Sequence, residues 1–306
     1  MSESTQVVNA PESMASTPVS KPAESAAVLV PQPQTKERYF LRFTLAQRYL
    51  HAVLFSTFLG LAATGLPLRF SGTVWAIRFA KAVGGFGAIL FFHKFCALVL
   101  TLAFLIHVRE IIARGVFRKE RGIFWGPTSM VASWKDVKDL FAHFRWFLGL
   151  GPKPQFERYA YWEKFDYWAV FWGMVVIGFS GYAMWFAPFF ARFLPGWALN
   201  AALVIHSEEG LLAILFIFSI HFVNTHLRPD SFPMDMVIFT GRESEEEFKV
   251  RRPTEYQRML GEGSSATRIT DAPPRWLINF SRVVGFTAIL IGLTLLVLTL
   301  SAYIAG

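Results

Sequence analysis

The chain is short of cysteine, of acid and of charge altogether. Its 306 residues include one cysteine, Cys96, so there is no intrachain disulfide, no CxxCH signature for covalent haem attachment and no thiolate cluster for an iron–sulfur centre. Asp and Glu number 22 against 30 Lys and Arg, and charged residues are only 17% of the chain, where a soluble domain has about a quarter. Nothing resembles a nucleotide-binding glycine loop, a serine nucleophile elbow or a nucleic-acid module, so no nucleic-acid partner is expected. What the chain has in excess is apolar bulk: 53% hydrophobic residues, 32 Phe, 10 Trp and a mean hydropathy of +0.38. That composition excludes a disordered, a collagen-like or a disulfide-built secreted protein and points to a membrane.

A helix that crosses a hydrocarbon core of about 30 Å needs about 20 apolar residues. Five stretches meet that length: Tyr49–Leu68, Phe86–Val108, Tyr167–Ala191, Ala201–Leu227 and Val283–Gly306. Only Lys94 interrupts the second, and only Glu208 and Glu209 the fourth, which makes these three charges functional suspects. Of the 30 basic residues, 5 lie in residues 1–48, 11 in 108–165 and 9 in 222–282, 25 in all. The positive-inside rule then puts the N-terminus and the two long loops in the cytoplasm and the C-terminus in the periplasm of a multi-pass protein of a bacterial inner membrane. The expected organisation is a disordered cytoplasmic arm over 1–42 and a four-helix core over 43–227 with a cytoplasmic loop at 109–165. A charged cytoplasmic loop over 228–282 and a fifth transmembrane helix over 283–306 follow. The 109–165 loop, broken by "GLGPKP", predicts short surface helices, and 228–282 predicts a solvated amphipathic connector more than a partner-docking surface.

The first and third spans align without a gap, "QRYLHAVLFSTFLGLAATGLPLRF" from Gln47 on "EKFDYWAVFWGMVVIGFSGYAMWF" from Glu163. Arg48 falls on Lys164, Thr64-Gly65 on Ser180-Gly181 and Phe70 on Phe186, and each copy is followed by a helix carrying two histidines. A helix pair used twice in parallel predicts an all-α integral membrane protein whose four-helix bundle has approximate twofold symmetry about the membrane normal. Repeats of this kind put their functional site at the interface between copies.

Six of the seven histidines, His51, His93, His107, His206, His221 and His226, lie in or beside spans. His93 and His107 are 14 residues apart, which returns them to nearly one helix face roughly 21 Å apart along the axis. His206 and His221 are 15 apart, separated by roughly 22 Å and about 60°. Two helices that each carry such a pair can set one imidazole on each side of two haem planes, the arrangement that bis-histidine ligation of two b-type haems requires. Zinc would need several ligands at one depth and is disfavoured.

Arg48 shortly before His51, "TGLPL" 13 residues after it, "HKF" in the second span and the His206/His221 pair resemble the membrane cytochrome b subunits of formate dehydrogenase, nickel-iron hydrogenase and thiosulfate reductase. "YWEKFDYWAVFWG" looks like the formate dehydrogenase gamma type in particular, and the likeness covers about residues 43–228. It implies non-covalent haem b at two depths, the non-cytoplasmic haem on His93 and His206 and the cytoplasmic one on His51 and His221. His107 departs from that pattern. Its spacing looks instead like the core of respiratory cytochrome bc complexes, where the second and fourth helices supply all four ligands and His107 would pair with His221. The repeat favours His107, since Tyr167 occupies the His51 position in the second copy, and the family resemblance favours His51; both stay open here.

The resemblance further implies an electron-transfer subunit linking a membrane quinone or quinol to a periplasmic or membrane-attached redox partner, such as a dehydrogenase, a hydrogenase, an iron–sulfur protein or a multihaem cytochrome. The quinone would bind near the cytoplasmic-side haem. Two other readings are a self-contained membrane haem oxidoreductase acting on a small acceptor and a haem-free proton-coupled transporter. Glu208 and Glu209 could relay protons, bond a haem-ligand histidine or simply snorkel. Lys94, Arg109 and Arg228 could pair with haem propionates, and Gly60, Gly65, Gly178 and Gly181 would allow close helix approach or make room for porphyrin edges. Tyr161, Trp162, Tyr167, Trp168 and Trp172 read as an interfacial belt.

Overall fold

A computed structural model describes residues 37–304, so the arm expected over 1–36 lies outside the described residues. The chain is an all-α membrane protein with five helices long and apolar enough to cross a bilayer: Leu45–Arg69, Phe86–Phe117, Tyr161–Trp185, Gly196–Leu227 and Arg275–Ile304. Thr44 starts the first of them with a capping box, its hydroxyl accepting from the Gln47 amide while the Gln47 carboxamide accepts from the Thr44 amide at 3.0 Å. Most spans extend beyond the uncharged runs, since Arg109, Arg114 and Arg275 at span ends reach water along their aliphatic stems.

The first span packs along the second, the third along the fourth, and contacts between the first and fourth and the second and third close a four-helix bundle. Each repeat contains a short helix between its spans, Val74–Ala82 in the first and a single turn at Ala187–Phe190 in the second. The fifth span lies outside the bundle against the first and fourth, in a core of Ala62, Leu66, Leu211, Ile214, Phe218, Phe222 and Leu295. Gly292 makes this approach possible: a Cβ there would stand 2.7 Å from Phe222 and 2.8 Å from Phe218. Gly292→Ala is expected to cost about 1–3 kcal/mol by overpacking, seen as a lower melting temperature in detergent, and an unchanged melt would contradict this packing.

The assignment of 37–42 to a disordered arm is corrected. Tyr39–Leu41 forms strand β1, which pairs antiparallel with β2 (Arg242–Ser244) and β3 (Ile269–Thr270) in the order β2-β1-β3. The pairing holds because Phe40 is buried between Phe248, Met259 and Tyr256, which lie on two short helices, Glu245–Arg251 and Pro253–Gly261. The 228–282 loop is therefore a folded cap rather than a plain connector. Within the 109–165 loop, Trp134–Phe147 is helical, begun by a Ser133/Asp136 capping box, and the chain turns after it at Gly149, whose φ of 72° suits glycine. Burial works to raise the Asp136 pKa, but hydrogen bonds from Lys164 and Ser133 outweigh it and hold the carboxyl below its ordinary value.

Under the sheet lies a buried ion cluster. Arg42, 3% exposed, sits between Glu243 at 3.3 Å and Glu255 at 2.7 Å, and Glu255, fully buried, is also met by Arg158 at 3.3 Å and Arg268 at 2.6 Å. Arg252 reaches Glu163 at the start of the third span at 2.6 Å. The cluster ties the segment before the first span, the loop before the third and the segment after the fourth into one unit, so the ends of three spans share one anchor.

Candidate functional site

The histidines fall at two levels of the bundle. At the end nearer the short loops, His93 of the second span and His206 of the fourth face each other with ring centroids 6.1 Å apart and planes at 77°. Their supports come from the preceding span of each repeat. Thr64 gives its hydroxyl hydrogen to the Gly60 carbonyl at 2.6 Å, so its oxygen is left to accept from His93 Nδ1 at 2.9 Å, with the Leu61 carbonyl beside it. His206 Nδ1 donates at 2.9 Å to the carbonyl of Ile177, the residue 116 positions after Leu61. Ile177 lies in a π-helical turn, Met174–Gly178, whose wider winding leaves carbonyls to outside donors. With the proton inferred on Nδ1 in both rings, each Nε2 keeps its lone pair and has no hydrogen bond among the described residues.

The repeated glycines explain the close fit. A Cβ on Gly65 would stand 3.2 Å from His93 Cε1, and one on Gly181 would stand 2.8 Å from Cε1 and 3.0 Å from Nδ1 of His206. Gly60 faces Cys96 instead, and Gly178 meets only Met174 at 4.0 Å.

At the opposite level, toward the long loops, the first and fourth spans bring His51, His221 and His226 into one electrostatic neighbourhood. His221 Nδ1 donates to Asp166 Oδ2 at 2.8 Å, which again leaves Nε2 free. His226 Nδ1 and Asp166 Oδ1 are buried without hydrogen-bond partners. His107 stands apart from this group: its Nε2 is 3.0 Å from the Tyr167 hydroxyl. That pair borders a mainly apolar cleft walled by Leu50, Leu54, Leu100, Ala103 and Phe104. Under the repeat, Tyr167 corresponds to His51, so a phenol meets His107 where the other copy has an imidazole.

The charged suspects have partners of their own. Arg69 pairs with Glu208 at 2.8 Å and bonds Ser207 and Tyr303, while Trp172 donates to Glu209 at 3.3 Å. Lys94 lies over the Trp185 ring at 5.0 Å, and Arg228 pairs with Asp230 at 3.0 Å and lies over Trp162 at 4.7 Å. The belt residues Tyr161 and Trp162 pack on His143, the one histidine outside the spans, whose pKa is lowered by burial and by the neighbouring Arg228 and Lys153 cations.

Asp166 is the site residue that the sequence pattern did not single out. The uncharged run of the third span begins at Tyr167, one residue after it, whereas the helix begins at Tyr161. Its signal was available: a lone acid at the position that is Leu50 in the first copy.

Among the described residues no three His, Cys, Asp or Glu side chains converge on a point that would hold a metal ion by protein ligands alone. The arrangement offers one facing imidazole pair, His93/His206, and at the other level a group of His51, His221 and His226, with Nε2 of His93, His206 and His221 left free by the bonds at Nδ1. No protein-family profile matches the chain, and comparison with curated proteins finds no match.

Proposed function

We propose that this protein is a di-haem b-type transmembrane electron-transfer subunit, linking a membrane quinone pool to a redox partner protein. The observation that carries the reading is the His93/His206 pair. Two imidazoles on facing helices, each oriented through Nδ1 by the preceding span of its own repeat and each with Nε2 uncommitted, form a donor set suited to a metal held from two opposite sides. The fit is supported by the glycines, which let the backbone approach each ring closely, more so at Gly181 than at Gly65.

His93 and His206 would hold one haem. His51 and His221 would hold the other, because His51 neighbours His221 while His107 is committed to Tyr167. Haem b, when bound, supplies a one-electron iron centre, and low-spin bis-histidine ligation changes little in geometry on reduction. The chain's own contribution is to fix the tautomers, to exclude water with apolar spans and to keep the two ligand levels roughly 22 Å apart along the fourth helix. The mainly apolar cleft with its His107–Tyr167 hydrogen-bonding pair suits a quinone, whose ring needs apolar walls and whose oxygens need one or two polar partners. With 25 of 30 basic residues on the long-loop side, we assign that side to the cytoplasm of a bacterial inner membrane, with the N-terminus cytoplasmic and the C-terminus periplasmic. The partner on the periplasmic side would carry the substrate chemistry.

The test is the haem-to-protein ratio and the reduced-minus-oxidised spectrum of the purified chain. Two b-type haems reducible by a quinol are expected, and protein expressed with adequate haem supply that purifies colourless would refute the reading. His107→Ala is expected to keep both haems and His51→Ala to keep one; the reverse pattern transfers the fourth ligand to His107. Gly181→Ala is expected to lower occupancy at one haem, and more than Gly65→Ala does, since its Cβ encroaches further on the ring. Equal and full occupancy in both variants would show that the rings yield freely.

A further inference from the structure

The internal repeat is kept at one level of the bundle and broken at the other. At the His93/His206 level both rings give their Nδ1 hydrogen to neutral acceptors, a threonine hydroxyl oxygen and a backbone carbonyl. At the other level His221 gives it to a carboxylate, Asp166, whose position is Leu50 in the first repeat. The side chains of Asp166 and His221 are 13% and 23% exposed, and Asp166 Oδ1 is buried with no hydrogen-bond donor. A carboxylate in such surroundings is costly unless positive charge lies close by, and one proton shared with His221 leaves half of it unanswered.

We infer that Asp166 is a positioning and tuning residue that makes the His221-side haem the lower-potential one of the pair. The inference rests on the di-haem reading above. An imidazole that donates Nδ1–H to a carboxylate is a more electron-rich ligand through Nε2 than one that donates to a carbonyl. The negative charge, poorly screened at this depth, adds to that effect. Both stabilise the ferric over the ferrous state, so both move the potential down. Among the described residues no carboxylate is bonded to His93 or His206, so an electron entering at the long-loop end moves downhill in energy toward the short-loop end as far as the ligands' bonds decide it.

The test is a redox titration of the purified full chain followed in the b-type absorbance. Asp166→Asn keeps an acceptor oxygen and the side-chain shape while removing the charge. Two haems are expected to remain, with one transition moved to a more positive potential and the other unmoved. Two haems with both potentials at their wild-type values would overturn the inference and leave the di-haem reading intact, whereas wild-type protein without haem would overturn that reading first. His93→Ala tests the order of potentials without touching Asp166: the haem that remains is expected to titrate as the lower wild-type transition, and retention of the higher one would overturn the inference even where Asp166→Asn fails to fold.

Discussion

Purified His206→Ala protein is expected to carry one haem instead of two and to have lost electron transfer across the bilayer, while quinol still reduces the haem that remains. The argument is local. His206 is one of the two facing imidazoles, and its partner His93 is held by its own bonds to the first span, through Thr64 and the Leu61 carbonyl. Alanine therefore removes one ligand without freeing the other, and a haem held by a single imidazole in a site shaped for two is expected to be lost on purification. The other level lies 15 residues further along the same helix, roughly 22 Å away, with a separate support in Asp166. The Glu208–Arg69 pair next to the mutated position involves side chains that alanine does not touch, so the helix end should stay in place. The haem-to-protein ratio and the loss of one of two redox transitions measure the outcome. A His206→Ala protein that keeps both would take His206 out of the ligand set.

The spans were legible because a lipid environment imposes a single demand, about 20 apolar residues in a row, that composition alone satisfies or fails. The repeat was legible because Thr64-Gly65 and Ser180-Gly181 recur at a fixed spacing, and the structure sets the glycine of each copy against an imidazole, Gly65 against His93 and Gly181 against His206. Which histidines meet was less legible. Helical spacing places His93 and His107 on one face of the second span, but the partner of each depends on the rotation of the first and third spans about their axes, which no periodicity states. The structure brings His51 into the neighbourhood of His221 and His226 and sets Tyr167 against His107. The sheet was illegible from local pattern. Its strands are two or three residues long, β1 is more than 200 residues from both partners, and Phe40 and Arg42 acquire their significance from contacts across that distance. A loop dense in charge looks solvated until it is seen that Glu243, Glu245, Arg252 and Glu255 are among its buried residues.

Glu255→Ala is expected to have the largest effect on stability of any single change in the cap, about 3–5 kcal/mol. Glu255 is fully buried and answers Arg42, Arg158 and Arg268, of which Arg42 is itself 3% exposed. Removing the carboxylate leaves Arg42 with Glu243 alone and leaves Arg158 and Arg268 without an acid, so the cost is that of stranded cations in a low-dielectric site rather than the worth of one ion pair. The same cluster predicts an acid limit. Burial works to raise the Glu255 pKa, but the three guanidinium groups outweigh it and hold the carboxyl below its ordinary value. A folded-state pKa below the unfolded one means that the stabilisation is complete above the unfolded value and is lost as pH falls through the depressed folded value. Glu255→Gln removes that titration, so its melting temperature should be lower than wild type at neutral pH and should fall less steeply on acidification. Limited proteolysis within residues 242–270 reports the cap directly, and the variant should be cut faster at pH 7 while its spans stay protected. Equal cleavage and parallel pH profiles in wild type and both variants would mean that β1 and the hydrophobic contacts of Phe40 hold the cap without the ion cluster.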